Sequence, residues 1–281
     1  MHARFSLGLL GALLLSAAPA AASPFLFSTG DPDGEMASAT RPGTAGKFEI
    51  ESADDFVAPS PVSLTGATFK GILTNGASIS DIGQVRVEIY RVFPLDSQDP
   101  PSGHVPTRMN SPSDVALAER DSALGDLLST AGVLSESFSA LNSVTPGGIH
   151  AKPNQATLGN GPQNGQEVEV TVSFDPISLP ADHYFFVPQV QVNGSGEFLW
   201  LSAPKPIAGN GTPFLPDLQS WTRDEMLAPD WLRIGTDIVD GETLPTFNAS
   251  FALIGQVVPE PATASLVLIG LCGLAWKRGR R

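Results

Sequence analysis

Glu167–Phe174 reads EVEVTVSF, and its alternation decides the fold class. Val168, Val170, Val172 and Phe174 fall on one side of an extended chain, and Glu167, Glu169 and Thr171 on the other, because successive side chains in a strand point to opposite faces. Such a strand has a core on one side and water on the other, as in antiparallel sheets. Gln84–Phe93 (QVRVEIYRVF) repeats the pattern, with Val85, Val87 and Ile89 set against Arg86, Glu88 and Tyr90. Working outward, Lys47–Ile50, Val62–Leu73, His183–Val192, Glu197–Ser202 and Thr246–Gln256 read as further strands. Asn75-Gly76, Pro146-Gly147-Gly148, Gly159-Asn160-Gly161, Asn193-Gly194 and Gly209-Asn210-Gly211 supply the turns between them. The prediction is an all-β body: an antiparallel β-sandwich, jelly-roll-like, with long loops and at most one or two short helices.

Three stretches fit that pattern less well. Asp114–Leu128 (DVALAERDSALGDLL) reads as a helix behind an Asp or Ser cap, or equally as short strands with loops. Leu215–Ile238, which holds Trp221 and Trp231, reads as a long loop or helical turn over one end of the sandwich. Pro94–Pro112 reads as an exposed insertion between strands.

The two ends of the chain are of another kind. Phe5–Ala18 (FSLGLLGALLLSAA) is almost wholly apolar, follows Arg4, and leads into Ala20-Ala21-Ala22. This is the pattern of a secretory signal peptide cleaved after Ala22, with Ala20 and Ala22 as the small residues of the site. At the other end stand Pro259-Glu260-Pro261, the uncharged run Ala262–Trp276, and the basic cluster Lys277, Arg278, Arg280 and Arg281. As a transmembrane helix that run spans about 22 Å, at ~1.5 Å per residue. This is short for a hydrocarbon core of ~30 Å, so the bilayer must thin or Lys277 must snorkel. The cations place the tail tip in the cytoplasm. Residues 1–22, 23–256 and 257–281 are therefore read as signal peptide, exported body and membrane-directed tail.

The tail, in the order Pro-Glu-Pro, apolar run and basic stop, resembles the PEP-CTERM sorting signal. The resemblance implies recognition and processing at the inner membrane by exosortase, a transpeptidase-like membrane enzyme. In families with this tail, the pathway is associated with exopolysaccharide production. The alternative readings are a permanent membrane anchor or a buried strand. The body is similar to an uncharacterised family of exported bacterial proteins. That similarity rests on Gly30-Asp31-Pro32-Asp33-Gly34, Ala53-Asp54-Asp55-Phe56, Val85–Phe93, Leu179–Gln191, Phe198–Ser202 and Ala228–Ile238. It implies a shared β fold outside the cytoplasm, and no catalytic residues.

Charge and cysteine content narrow the function. Of 16 Lys and Arg residues five lie in the two ends, and of 29 Asp and Glu only Glu260 does, which leaves 11 bases, 28 acids and a body near −17. A nucleic-acid partner is excluded on charge, since phosphates demand a basic face. The one cysteine, Cys272, lies in the tail, so no disulfide staples the body and no thiol serves as nucleophile or metal ligand there.

Candidate sites are few. Asp31, Asp33 and Glu35, with the pair Asp54-Asp55, are candidate calcium ligands, because calcium takes six to eight oxygens in a flexible shell. Trp200, Trp221 and Trp231, with Tyr184, are candidate glycan-binding aromatics, whose flat rings can cover sugar C–H faces. His104, His150 and His183 lack the spacing of a metal site, and His183 reads as a strand-entry residue. Gly194-Ser195-Gly196 reads as a hairpin turn rather than a nucleophile elbow. The expectation is an exported, non-enzymatic protein of the cell surface or extracellular matrix. Signal peptidase, exosortase and, transiently, the inner membrane are its partners in export, and extracellular polysaccharide is its candidate ligand. The alternatives are a secreted hydrolase acting on matrix polysaccharide through two close carboxylates, and a permanently anchored envelope protein.

Overall fold

The valines of Glu167–Phe174 do face inward. In the computed structural model Val168, Val170, Val172 and Phe174 are buried, between 0% and 8% exposed. The structure describes residues 22–98, 102–150, 152, 156–205, 217–239 and 247–258. Within them the strands are β1 (Pro24–Ser28), β2 (Met36–Ala39), β3 (Ile50–Ala58), β4 (Val62–Leu73), β5 (Ile82–Arg91), β6 (Ala118–Asp121), β7 (Leu127–Ala140) and β8 (Asn142–Val144). They continue as β9 (Gln163–Leu179), β10 (Asp182–Val192), β11 (Phe198–Ala203), β12 (Trp221–Asp224), β13 (Leu232–Arg233), β14 (Asn248–Ala249) and β15 (Phe251–Val257). Helix among the described residues is limited to the turns Ile79–Asp81 and Pro146–Gly148 and the π-helix Ile234–Ile238.

The strands form two packed sheets. One runs β13-β12-β3-β10-β5-β6. The other has nine strands built around β4, whose one side is taken by β9, with β7 beyond it. The other side of β4 is shared along its length by β15 and β11. All pairs are antiparallel except β2 with β8, which departs from the purely antiparallel expectation. The long intervening chain allows this, since parallel neighbours need a crossover.

Between the sheets lies an aromatic core. Phe186 stacks on Phe251 at 5.2 Å, Phe56 on Tyr184 at 5.6 Å, and Trp200 stands edge-on to Phe251 at 5.7 Å. Each fully buried ring of this kind stabilises the fold by about 1.5–3 kcal/mol. Gly71 of β4 sits under the Phe198 ring and beside the Leu199 carbonyl, so any side chain there would collide with both. The Asn75-Gly76 turn has left-handed backbone at both residues, φ 55° and 74°, as a tight turn of that composition requires.

Two local expectations are corrected. The helix that Asp114–Leu128 allows does not form, and the segment carries β6, a turn and the start of β7. The Asp121 carboxylate accepts the Ala123 amide and the Asp126 carboxylate accepts the Asp121 amide, both at 2.7 Å. Such side-chain bonds to backbone compete with helix. Lys47 does not enter a strand either. It closes a turn with Thr44 through two backbone bonds, and the strand begins at Ile50.

Residues Ser23–Val258 make one compact unit. No helix among the described residues is long and apolar enough to cross a membrane. The helix expected in Ala262–Trp276, the sorting motif Pro259-Glu260-Pro261, Cys272 and Ala20 lie outside the described residues.

Candidate functional site

The six-stranded sheet was expected to turn Arg86, Glu88 and Tyr90 to water. It does so only at Arg86. Glu88 and Tyr90 are 6% and 3% exposed, because an apolar cluster closes over this face. The segment 217–239, whose β12 and β13 are strands of this same sheet, supplies Leu218, Trp221 and Trp231 to it. Its centre is a polar cluster. Arg223 of β12 donates to Glu51 of β3 from Nε and from Nη2, the latter at 3.0 Å, and to Tyr90 Oη at 2.9 Å. Tyr90 donates to Glu51 Oε1 at 2.6 Å, with Glu88 Oε2 3.4 Å away. The guanidinium lies 4.2 Å from the centre of the Trp231 ring, a cation–π contact. Burial first, then the charges of Glu51 and Glu49, hold the Glu88 carboxyl well above the usual carboxylate range and favour its protonated form.

Arg108 does the same work for the Pro-rich insertion. Its guanidinium binds Asp230 at 2.9 Å and Asp114 at 2.8 Å, and stacks 4.8 Å from the Phe93 ring. Arg108, Ser111 and Ser113 are at most 2% exposed. The insertion expected to be exposed is in part a buried strap, tied to the same covering segment.

The candidate calcium ligands are not brought together. Asp54 and Asp55 are consecutive in β3 and so point to opposite faces. Asp54 turns between the sheets, accepting the Ala249 amide at 2.8 Å and the Ser220 hydroxyl at 3.1 Å. Burial first, then the charge of Asp55, raises its pKa well above the ordinary value. Asp55 turns to the covered outer face and meets His183 Nε2 at 2.6 Å. Its pKa is also raised, by burial, although His183 opposes the shift. Asp31 pairs with Lys70, Asp33 accepts the Glu35 amide and the Ser202 hydroxyl, and Glu35 stands in solvent. Among the described residues no group of three or more Asp, Glu, His or Cys is placed to hold a metal ion.

The three tryptophans are 1%, 1% and 0% exposed at Trp200, Trp221 and Trp231, so none offers a ring face for a sugar. Trp200 plugs the core and donates to the Ser250 carbonyl at 2.9 Å. Trp231 donates to the Ser113 carbonyl at 3.1 Å and meets Tyr90 edge-on. Tyr184 is likewise buried, with its hydroxyl on the Pro180 carbonyl and its pKa pushed up to about 12 by burial and the Asp182 charge. Trp221 differs from them. It borders an open cavity of about 380 Å³ of mixed character, lined also by Met109, Leu218, Lys205, Asp217 and Arg233. Its Nε1–H is buried with no partner among the described residues.

No protein-family model, curated protein or solved structure matches this chain. The geometry alone therefore carries the chemistry. Glu51 and Glu88 are two close carboxylates, but Tyr90, Arg223 and Trp231 cap them and neither lines the cavity at Trp221. They form a fastening rather than an acid–base pair facing substrate. Of this cluster the sequence singles out only Trp231, as a candidate glycan-binding ring, and not Glu51, Glu88, Tyr90 or Arg223. The one available hint was that Arg86, Glu88 and Tyr90 share a strand face with two charges and a phenol, a pattern that a solvated face produces equally well.

Proposed function

We propose that this protein is an exported structural component of the cell surface or extracellular matrix, delivered through its PEP-CTERM-like tail. The reading takes the two packed sheets as a jelly-roll-like β-sandwich, made in the order signal peptidase, inner membrane, exosortase, matrix. The tripartite tail carries the reading, and the layout of the body supports it. β1 begins at Pro24, two residues past the expected cleavage after Ala22, and β15 ends at Val257, two residues before Pro259. The two strands pair, with Pro24 opposite Gln256, and Val257 donates to the Ser23 carbonyl at 2.8 Å. Removing both ends of the chain would thus leave every described strand intact.

A structural role is favoured because Asp54, Asp55 and the aromatics that sequence nominates for chemistry are engaged inside the body. Glycan binding is the second reading. It rests on the cavity of about 380 Å³ bordered by Trp221, whose N–H has no partner among the described residues. A hydrolase is disfavoured by the capping of Glu51 and Glu88.

Cell fractionation tests the proposal. The protein is expected in the matrix or surface fraction of its host, and a chain lacking residues 259–281 is expected free in the periplasm or medium. Matrix polysaccharide should not be shortened by the purified protein. Equal distribution of the two chains, or depolymerisation of the polysaccharide, would overturn the reading.

A further inference from the structure

Strand edges are templates for pairing with other chains, and native proteins blunt them with short strands, prolines and charges. Five of the singly paired strands here obey that rule. β1, β6, β8, β13 and β14 have five, four, three, two and two residues, and β6 carries Glu119 and Arg120. β7 does not obey it. It has 14 residues, pairs among the described residues only with β9, and contains neither proline nor lysine, with Glu136 as its one charge.

Its first half is the regular part. Leu127–Val133 (LLSTAGV) runs in unbroken register opposite Phe174–Val168, and the bulges come only after Val133. This run has no charge at all. Leu128 within it is 73% exposed and Val133 38%, with Leu124 at 75% in the turn before it and Leu134 at 50% just after it. A long strand edge without charges is a template for pairing with another chain.

We propose that β7 is a dimerisation edge, pairing antiparallel with β7 of a second copy of this chain to make one continuous sheet. The sequence of the run is complementary to itself. A two-fold axis through Thr130 sets Leu127 opposite Val133, Ser129 opposite Ala131, and Leu128 opposite Gly132. A side chain built at Gly132 would meet nothing within 4 Å, so the space beside it is open to the leucine of the partner. The same axis sets Glu136 opposite Leu124, which keeps the two Glu136 carboxylates apart. For a body so acidic, a neutral strip is what permits two like-charged copies to approach. An isologous pair of this type closes on itself, because each edge is used once.

The test uses the exported protein with Cys272→Ser, so that an introduced cysteine is the sole thiol. Thr130→Cys is expected to form disulfide dimers under mild oxidation, and Leu26→Cys, also exposed but on β1, is not. By sedimentation the parent is expected to be a dimer at high micromolar concentration. Leu128→Lys is expected to weaken that dimer at least about tenfold, with its melting transition unchanged because Leu128 lies on the surface. A parent that stays monomeric, a dimer indifferent to Leu128→Lys, or a Thr130→Cys that cross-links no faster than Leu26→Cys would overturn the proposal.

Discussion

At Asp54 the chain places a carboxylate between the two sheets, and its partners supply the reason, one on the facing sheet and one just ahead of β12 in its own. Ala249 in β14 offers an amide that no strand satisfies, and Ser220 offers a hydroxyl. Asp54 joins both and so fastens the six-stranded sheet to the nine-stranded one. Removing the acceptor leaves a buried N–H, which costs about 1–3 kcal/mol. Asp54→Ala should therefore lower the urea-unfolding free energy by that order. Asp54→Asn should lose less than about 1 kcal/mol. Its oxygen can still accept from Ala249 and its amide can donate to Ser220 Oγ, which also donates to the Phe247 carbonyl. This residue was legible in sequence only as an acid in an Asp-Asp pair. An acid inside reads like an acid outside until its partner, 195 positions away, is known.

Among the elements, those with one wet face were read best. β4 spans the expected Val62–Leu73, and the valines of β9 are buried as their alternation predicts. β3 was nearly missed, because IESADDFVA is buried on both faces and has acids where a simple pattern wants valines. β12 was missed for the same reason. Its Arg223 looks like a surface residue, yet it is 6% exposed and held by Glu51, Tyr90 and Trp231. Breaking a buried pair by removing one partner costs about 3–5 kcal/mol, whereas replacing both by apolar groups is often neutral. Arg223→Met should thus destabilise strongly, and the double change Arg223→Met with Glu51→Leu should recover much of the loss. Limited proteolysis should cut within 217–239 faster in the single variant than in the double. Equal unfolding free energies for the two variants would mean that β12 is held by its apolar contacts alone.

For the whole molecule, buried carboxyls set the pH dependence of stability. Asp54, Asp55 and Glu88 all have raised pKa values, so the folded chain keeps protons that the unfolded chain releases. Stability then falls as pH rises from the ordinary values, 3.8 for Asp and 4.5 for Glu, toward the higher folded values. Asp114 acts the other way. Burial pushes it up, but the Gln98 amide and Arg108 outweigh that and hold it low, so its contribution is lost as pH drops below 3.8. The melting temperature should peak in mildly acidic solution and decline toward pH 8, by ~2–4 °C for each kcal/mol in a domain of this size. Glu88→Gln should flatten that decline. A melting temperature that climbs steadily from pH 5 to 8 would contradict the assignment.

The claim that the body is a unit delivered between two removable ends is tested most directly by intact mass and C-terminal peptide mapping of the protein from its host, with exosortase present and deleted. The account predicts a mature chain that starts at Ser23 and loses its tail near Pro259-Glu260-Pro261 only when the enzyme is present, with any added mass at the new end identifying what it is joined to. A tail still ending in Arg281, with Cys272 and Trp276 intact in both strains, would contradict it and leave a permanently anchored envelope protein.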